Sequence, residues 1–138
     1  MNTETPFLIL YAERADLDLE VNAERTNTLR SQLAARRFAY VEVTGSYKGR
    51  TEASFLVLLD GGDGGYPFDL LLSLARRYGQ ESVLSVDANR RATLHTLASG
   101  IGHTDTALGN WAPISAERAE HLDSWTRDRS GNYWSTTP

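Results

Sequence analysis

Short apolar runs separated by charged and glycine-containing segments predict five strands in the first hundred residues. The runs are rich in β-branched and aromatic residues and are bounded by Pro, Gly or charged residues. They lie at residues 6–15, 38–45 and 52–60, followed by two short strands around a turn at Asp87, Ala88, Asn89 and Arg90. The run at 52–60 is apolar at nearly every position, which is typical of a strand covered on both faces.

Two segments with apolar residues near a 3.6-residue spacing predict helices. The first covers residues 21–38, with Asp18 or Asn22 as its candidate N-cap. The second begins at Pro67, after the glycine-rich segment GGDGGYP, which we expect to be a flexible loop. Gly79 stands where this second helix should end. The apolar positions are Val21, Leu29, Leu33 and Phe38 in the first segment, and Leu71, Leu74, Ala75 and Tyr78 in the second.

The order of these elements, β-α-β-β-α-β with one strand appended, predicts an α+β fold of the ferredoxin-like type. In that fold an antiparallel sheet carries both helices on one face. The other face needs a cover, because an apolar sheet face is not left in water. The apolar strand at 52–60 therefore predicts that this face packs against further copies of the chain. We expect one domain over residues 1–138.

The last part of the chain, from about residue 101, is less regular. The segment IGHTDTALGNWAP is expected to be loop-like, and residues 114–125 fit a short helix capped by Ser115. Residues 124–135 fit a small C-terminal hairpin, with its turn at Ser130, Gly131 and Asn132. Three tryptophans lie in this part, and we expect them to pack onto the domain. The alternative is that Trp111, Trp125 and Trp134 form an aromatic wall for a ligand.

Composition narrows the class of protein. The chain is 41% hydrophobic and 23% charged, which is typical of a soluble globular domain. No apolar run has the roughly 18–20 residues of a membrane span, and the N-terminus lacks a signal-peptide pattern, so we expect a cytoplasmic protein without a membrane partner. Zero Cys excludes disulfides, a thiolate zinc site and a Cys nucleophile. The net charge of −4 argues against nucleic-acid binding and is compatible with a cationic or zwitterionic ligand or with a plain acidic surface.

The sequence carries no standard catalytic signature. GGDGGYP lacks the spacing of a phosphate-binding loop, and no Ser lies in a GxSxG turn. His95 and His103 each precede a Thr but do not have the spacing of a phosphodiesterase motif, and three scattered histidines predict no metal site. An enzyme built from this chain is therefore expected to use no protein nucleophile.

One hairpin places two chemically useful side chains near each other. The segment VTGSYKGRTEASFLV has Tyr47 and Glu52 on opposite arms, within reach of a common ligand. On spacing alone, a surface hairpin with an exposed Tyr is the simpler interpretation.

A collinear series of short matches resembles the phage S-adenosylmethionine (SAM) lyases, also known as SAM hydrolases. The matches run from about residue 7 to residue 134 and comprise FLILYAERA, VNAERTNTLRSQL, VTGSY, EASFLV, LARRYGQESVL, ATLHTLASG, LGNW and SWTRDRSGNYW. The resemblance implies a ferredoxin-like, PII-like fold and a homotrimer with active sites between subunits. It also implies cleavage of SAM to 5′-methylthioadenosine and L-homoserine lactone in the host cytoplasm, which would deplete the methyl donor of host restriction. SAM is then the substrate, and no cofactor or metal is implied.

The same resemblance assigns site residues. Tyr47 and Glu52 match the family's catalytic Tyr and Glu, although the link between them is shorter here. Ser46, Gln80 and Glu81 fall in the matching segments and are expected at the substrate. In SAM the sulfonium is a good leaving group, and the substrate's own carboxylate is already ionised at neutral pH. The protein then needs to fold the substrate and exclude water, with Glu52 holding its α-ammonium group.

Two other classes of protein fit the sequence. One is a PII-like trimer that binds SAM or a nucleotide without turning it over, and turnover of SAM distinguishes the two. The other is a phage protein that inhibits a host enzyme through its acidic surface, which a stoichiometric host partner would favour.

Overall fold

The computed structural model of the chain describes residues 5–60, 67–97 and 102–138. The predicted GGDGGYP loop lies outside these ranges except for Pro67. Within them the chain forms β1 (Phe7–Tyr11), α1 (Leu19–Ala35), β2 (Tyr40–Tyr47), β3 (Arg50–Leu58), α2 (Pro67–Arg77), β4 (Ser82–Val86), β5 (Arg91–Thr96), β6 (Thr104–Ile114), α3 (Ala116–Ala119), β7 (Ser124–Arg127) and β8 (Tyr133–Thr137). None of the described helices is long and apolar enough to cross a membrane.

The strands close into an antiparallel barrel in the order β1-β3-β2-β7-β8-β6-β5-β4. The predicted ferredoxin-like α+β fold is therefore wrong. Its open sheet would leave two free edges, whereas here β4 pairs with β5 and β2 pairs with β7. The C-terminal strands β6, β7 and β8 then join those two edges. Closure satisfies backbone groups that an open sheet leaves unpaired.

In the part of the barrel that the helices cover, successive side chains of each strand point alternately into two apolar clusters, one on each face of the sheet. The helices α1 and α2 pack against the outer face through Leu8, Leu10, Phe55 and Val57. The inner face carries a second apolar cluster that includes Phe7, Val43, Leu56, Val86 and Trp111. Strand β3 is thus covered on both faces, but its second cover is the C-terminal part of the same chain. Among the described residues, β3 therefore has no uncovered face of the kind from which further copies of the chain were inferred, and the homotrimer stays a prediction from the resemblance.

Asp18 caps the N-terminus of helix α1, and its carboxylate accepts a hydrogen bond from the backbone N–H of Val21 at 2.8 Å. The other candidate cap, Asn22, is buried and instead holds the preceding loop, because its side chain exchanges two 2.9 Å hydrogen bonds with the backbone of Arg14. The apolar stripe inferred for this helix is correct at Leu29 and Leu33, which are buried, and wrong at Val21, which is exposed. The predicted core residues Leu71, Leu74 and Ala75 of α2 are buried, as is Tyr78, which directly follows the helix, and Gly79 comes next with φ of +70°.

The C-terminal part differs most from the prediction. The segment expected to be a loop forms β6, the longest strand, whereas the Ser115-capped helix and the final hairpin are present. Trp111 is buried and stacks on Trp134, with ring centroids 6.1 Å apart and planes 4° from parallel. These two indoles belong to the inner apolar cluster, so they pack onto the domain as predicted, although the barrel that surrounds them was not predicted. Trp125 packs edge-on against Tyr133, with ring centroids 5.1 Å apart.

Candidate functional site

At one end of the barrel, the inner face carries polar side chains in place of the apolar cluster. Residues directly opposite each other on paired antiparallel strands share a face. Glu52 and Arg50 alternate along β3 with the interior residue Leu56, so they lie on its inner face. Glu52 lies opposite Gly45 of β2, and Arg50 lies opposite Tyr47. On the neighbouring strand β1, side chains alternate between the two faces, so Tyr11 lies on the same inner face as Phe7. The end at which β1 finishes and β3 begins is therefore polar.

Glu52 is the most perturbed acid of this group. Its side chain is only 15% exposed, and this burial raises its pKa from 4.5 to about 7. The guanidinium of Arg50 acts in the opposite direction, and the charge of Glu13 adds to the increase. The nearest guanidinium nitrogen of Arg50 lies 3.6 Å from the Glu52 carboxylate, so the charge compensation is incomplete.

Arg50 lies between two carboxylates. Glu13 accepts a 2.6 Å hydrogen bond from the backbone N–H of Ala53 through Oε2, and its Oε1 is 4.0 Å from Arg50 Nη2. The side chain of Arg50 is 41% exposed, whereas those of Glu13 and Glu52 are 17% and 15% exposed. An incoming cationic group would therefore meet two mostly covered carboxylates and one exposed arginine that can move into solvent.

Tyr11 contributes a hydroxyl to the same region. Burial, together with the negative charges of Glu52 and Glu81 and against the positive charge of Arg50, raises its pKa to about 12. Its hydroxyl is therefore protonated at physiological pH and is available as a hydrogen-bond donor. Tyr11, Glu13 and Arg50 were not predicted from the sequence. Their alternation with Glu52 could have indicated the shared face, but only the pairing of β1 with β3 brings them together.

Tyr47 lies on the same face as Glu52 but nearer the rim. It is 59% exposed, and Lys48 Nζ lies 5.3 Å from its ring centroid. The hairpin turns through Lys48 and Gly49, which both have positive φ, as a tight two-residue turn requires. The short link keeps Tyr47 in register with Arg50, and hence diagonal to Glu52.

The other three predicted site residues are placed differently. Ser46 is buried and lies opposite Thr51, on the face away from Glu52, so the structure does not bring these two together. Gln80 is 5% exposed and accepts a 3.2 Å hydrogen bond from the backbone N–H of Tyr11. Its Nε2 is buried without a partner among the described residues. Glu81 is exposed, and its negative charge contributes to the raised pKa of Tyr11.

An open groove of about 290 Å³ lies elsewhere on the barrel, beside β2, β3 and β7. Its two carboxylates are already engaged. Glu42 lies 2.6 Å from Arg30, and Asp128 accepts hydrogen bonds from the backbone of Ser130 and Asn132 and from the indole of Trp134. We therefore place the candidate site at Glu52, where the carboxylate is less completely paired. The groove is lined by Glu42, Val43, Thr44, Ala53, Arg127, Asp128 and Arg129.

These features define a small β-barrel protein with a covered acidic candidate site, whose charge is compatible with a cationic or zwitterionic small molecule. Its carboxylates can bind a cation, and its tyrosine and amide groups can donate hydrogen bonds. The chain belongs to the S-adenosylmethionine lyase family, whose sequence profile matches residues 8–137. This match confirms the resemblance found in the sequence and supports SAM lyase activity in general terms. No curated protein sequence matches the chain.

The raised pKa of Glu52 predicts a pH-dependent stability. Since the folded protein raises this pKa from 4.5 to about 7, folding favours the neutral carboxyl group. The resulting stabilisation is complete below pH 4.5 and is lost as the pH rises through about 7, by up to about 3 kcal/mol. Urea unfolding of the wild type and Glu52→Gln between pH 5 and pH 8.5 measures it. The difference in unfolding free energy should grow with pH in favour of the variant, and parallel curves would contradict the assignment.

Proposed function

We propose that this protein cleaves SAM to 5′-methylthioadenosine and L-homoserine lactone. The observation that carries the proposal is the mostly covered Glu52 carboxylate at the polar end of the barrel, in a chain of the SAM lyase family. SAM carries an α-ammonium and a sulfonium, so it suits an acidic site. SAM is the substrate in this proposal, and no cofactor takes part.

The reaction needs no nucleophile from the protein. The carboxylate oxygen of the substrate attacks its own Cγ while the Cγ–S bond breaks, and the electron pair of that bond passes to sulfur. The products are a five-membered lactone and a neutral thioether, and no proton is transferred. The protein contributes by holding the methionine part folded for attack and by excluding water, and orientation of this kind is worth several kcal/mol.

Each side chain has a distinct proposed task. Glu52 pairs with the α-ammonium group after Arg50 moves aside, and the bound cation lowers the pKa of Glu52 so that it is fully ionised in the complex. Tyr11 and the unpartnered Nε2 of Gln80 offer hydrogen bonds that orient the substrate. Tyr47 at the rim can place its ring against the sulfonium.

The homotrimer belongs to the same proposal. Tyr47 is 59% exposed at the rim of the site, and a neighbouring subunit would cover it and exclude water from the substrate. In a host cytoplasm the reaction would remove the methyl donor of restriction and defence methylation. Sedimentation of the purified protein tests the assembly separately from the chemistry.

Incubation of the purified protein with SAM in H₂¹⁸O, followed by mass spectrometry, tests the reaction. We expect 5′-methylthioadenosine and lactone well above the amounts in a protein-free control. In homoserine formed by later opening of the lactone at its carbonyl, the γ-hydroxyl oxygen comes from the substrate and carries no ¹⁸O. Label in that hydroxyl would show direct hydrolysis and contradict the lactone route. SAM binding without turnover would support the alternative of a non-catalytic binding protein.

A further inference from the structure

Two histidines and an aspartate converge on the outer side of the barrel. His95 on β5 lies opposite Asp105 on β6, and His103 directly precedes β6. The Nδ1 atoms of His95 and His103 lie 2.7 Å and 2.6 Å from the same oxygen, Oδ1 of Asp105. In the sequence the histidines are unrelated, and only the pairing of β5 with β6 brings them together.

The cluster is separate from the site at Glu52. His95 lies opposite Val83, which belongs to the core beneath the helices, whereas Glu52 shares its face with the interior cluster. Nothing in the proposed SAM chemistry uses His95, His103 or Asp105.

The surroundings of the cluster hold the imidazole rings in place. Ser85 Oγ lies 2.6 Å from Nε2 of His95 and can accept a hydrogen bond from it, so His95 can keep a proton on Nε2 when Nδ1 exchanges its hydrogen bond with Asp105 for a metal ion. Phe68 packs edge-on against both imidazoles, with centroid distances of 5.0 Å and 6.0 Å. The three candidate ligand atoms lie within 4.8 Å of one another, the one such group in the part of the chain that the structure describes.

We propose that His95, His103 and Asp105 bind a divalent transition-metal ion of the Zn²⁺ type. The ligands are Nδ1 of each histidine and one carboxylate oxygen of Asp105, with water completing the coordination. Two neutral imidazoles and one carboxylate form a common donor set for such ions.

The geometry needs a small adjustment to admit the ion. Metal–ligand bonds of about 2.0–2.1 Å in a tetrahedral site separate neighbouring ligand atoms by about 3.3 Å, so the two hydrogen-bonded contacts must lengthen by about 0.6 Å. The side chains of Asp105 and His103 are 52% and 27% exposed, so both can move outward, while the buried His95 stays fixed. The bound ion would tie the start of β6 to β5 beside α2.

Calorimetric titration of the tag-free protein with Zn²⁺ tests this site. We expect about one equivalent to bind, and the variants His103→Asn and Asp105→Asn to bind at least about tenfold more weakly. His121→Asn is the matched control, because His121 is exposed and lies outside the cluster, and it should bind Zn²⁺ as the wild type does. Both cluster variants alter exposed residues, and metal-free thermal unfolding verifies that they fold.

Co²⁺ absorption gives a second measurement, because imidazole ligands in a four-coordinate site produce intense visible bands that water alone does not. Glu52→Gln should retain Zn²⁺ binding, which separates this site from the acidic SAM site. Absence of Zn²⁺ binding by the wild type, or equal binding by Asp105→Asn, would overturn the proposal. In that case the cluster is a hydrogen-bonded triad only.

Discussion

Replacement of Glu52 by Gln should lower kcat/KM for SAM cleavage by about 30- to 5,000-fold. Removing one partner of a covered charge pair costs about 2–5 kcal/mol, and each 1.36 kcal/mol is a factor of ten. Gln keeps the size of the side chain and removes the charge that pairs with the substrate ammonium. The variant should still fold and should be at least as stable as the wild type above pH 7, since it avoids a covered carboxylate.

The pH profile provides an independent signature of this assignment. In the wild type, kcat/KM should rise as the pH increases through about 7, the pKa of Glu52 in the free protein, and then level off. The residual activity of Glu52→Gln should lack this rise. Glu42→Gln is the matched control, because Glu42 is paired with Arg30 beside the outer groove, and its activity should equal that of the wild type. Near wild-type activity in Glu52→Gln would exclude the proposed role.

Replacement of Gly109 by Ala should destabilise the barrel by at least about 3 kcal/mol, in the range reserved for severe core defects. Gly109 has φ of +96° at a bulge in β6, where Ala92 pairs with Gly109 and Thr93 with Ala107. A Cβ built at this position lies 2.1 Å from the backbone oxygen of Thr137 and 2.8 Å from its carbonyl carbon. Those atoms belong to Thr137, the last residue of β8, so relief of the clash requires this end of β8 to move away from β6.

Gly131→Ala separates this clash from simple backbone strain. Gly131 has a similar φ of +87°, but a Cβ there has no atom within 4 Å. Its replacement should cost about 1–2 kcal/mol, the cost of the left-handed conformation alone. Urea unfolding of both variants measures the difference, and equal losses would show that the chain relieves the clash at Gly109 without a cost to the barrel.

The strands and helices before residue 97 could be predicted because their patterns are strong. Leu71, Leu74 and Ala75 of α2 and the following Tyr78 recur at helical spacing, and β3 is apolar at most positions. Strand β6 could not be predicted from the sequence. Residues 104–107 are exposed on both faces of the strand and so show no alternation of apolar and polar residues, and Gly109 and Pro113 suggest a loop. The fold class depends on this strand: without it the β-α-β-β-α-β order indicates an open sheet, and with it the sheet closes.

The site could be predicted only in part for a similar reason. The resemblance assigned Glu52 and Tyr47 to the candidate site, and the turn at Lys48 and Gly49 keeps both on one face. Period-two alternation shows which residues of a strand share a face, but it does not show which strand lies next to it. The proximity of Tyr11 and Glu13 to Glu52 depends on the register of β1 against β3, which joins residues more than 40 positions apart in the chain.

The stack of Trp111 on Trp134 has a consequence for spectroscopy. The two indoles come from β6 and β8, and they lie parallel only when those strands are paired. A rigid indole pair gives near-ultraviolet circular dichroism, which disappears when side-chain packing loosens even if the helices persist. The near-ultraviolet signal therefore reports closure of the barrel, and the far-ultraviolet signal reports α1 and α2. A comparison of the two during unfolding would reveal whether the barrel opens before its helices melt.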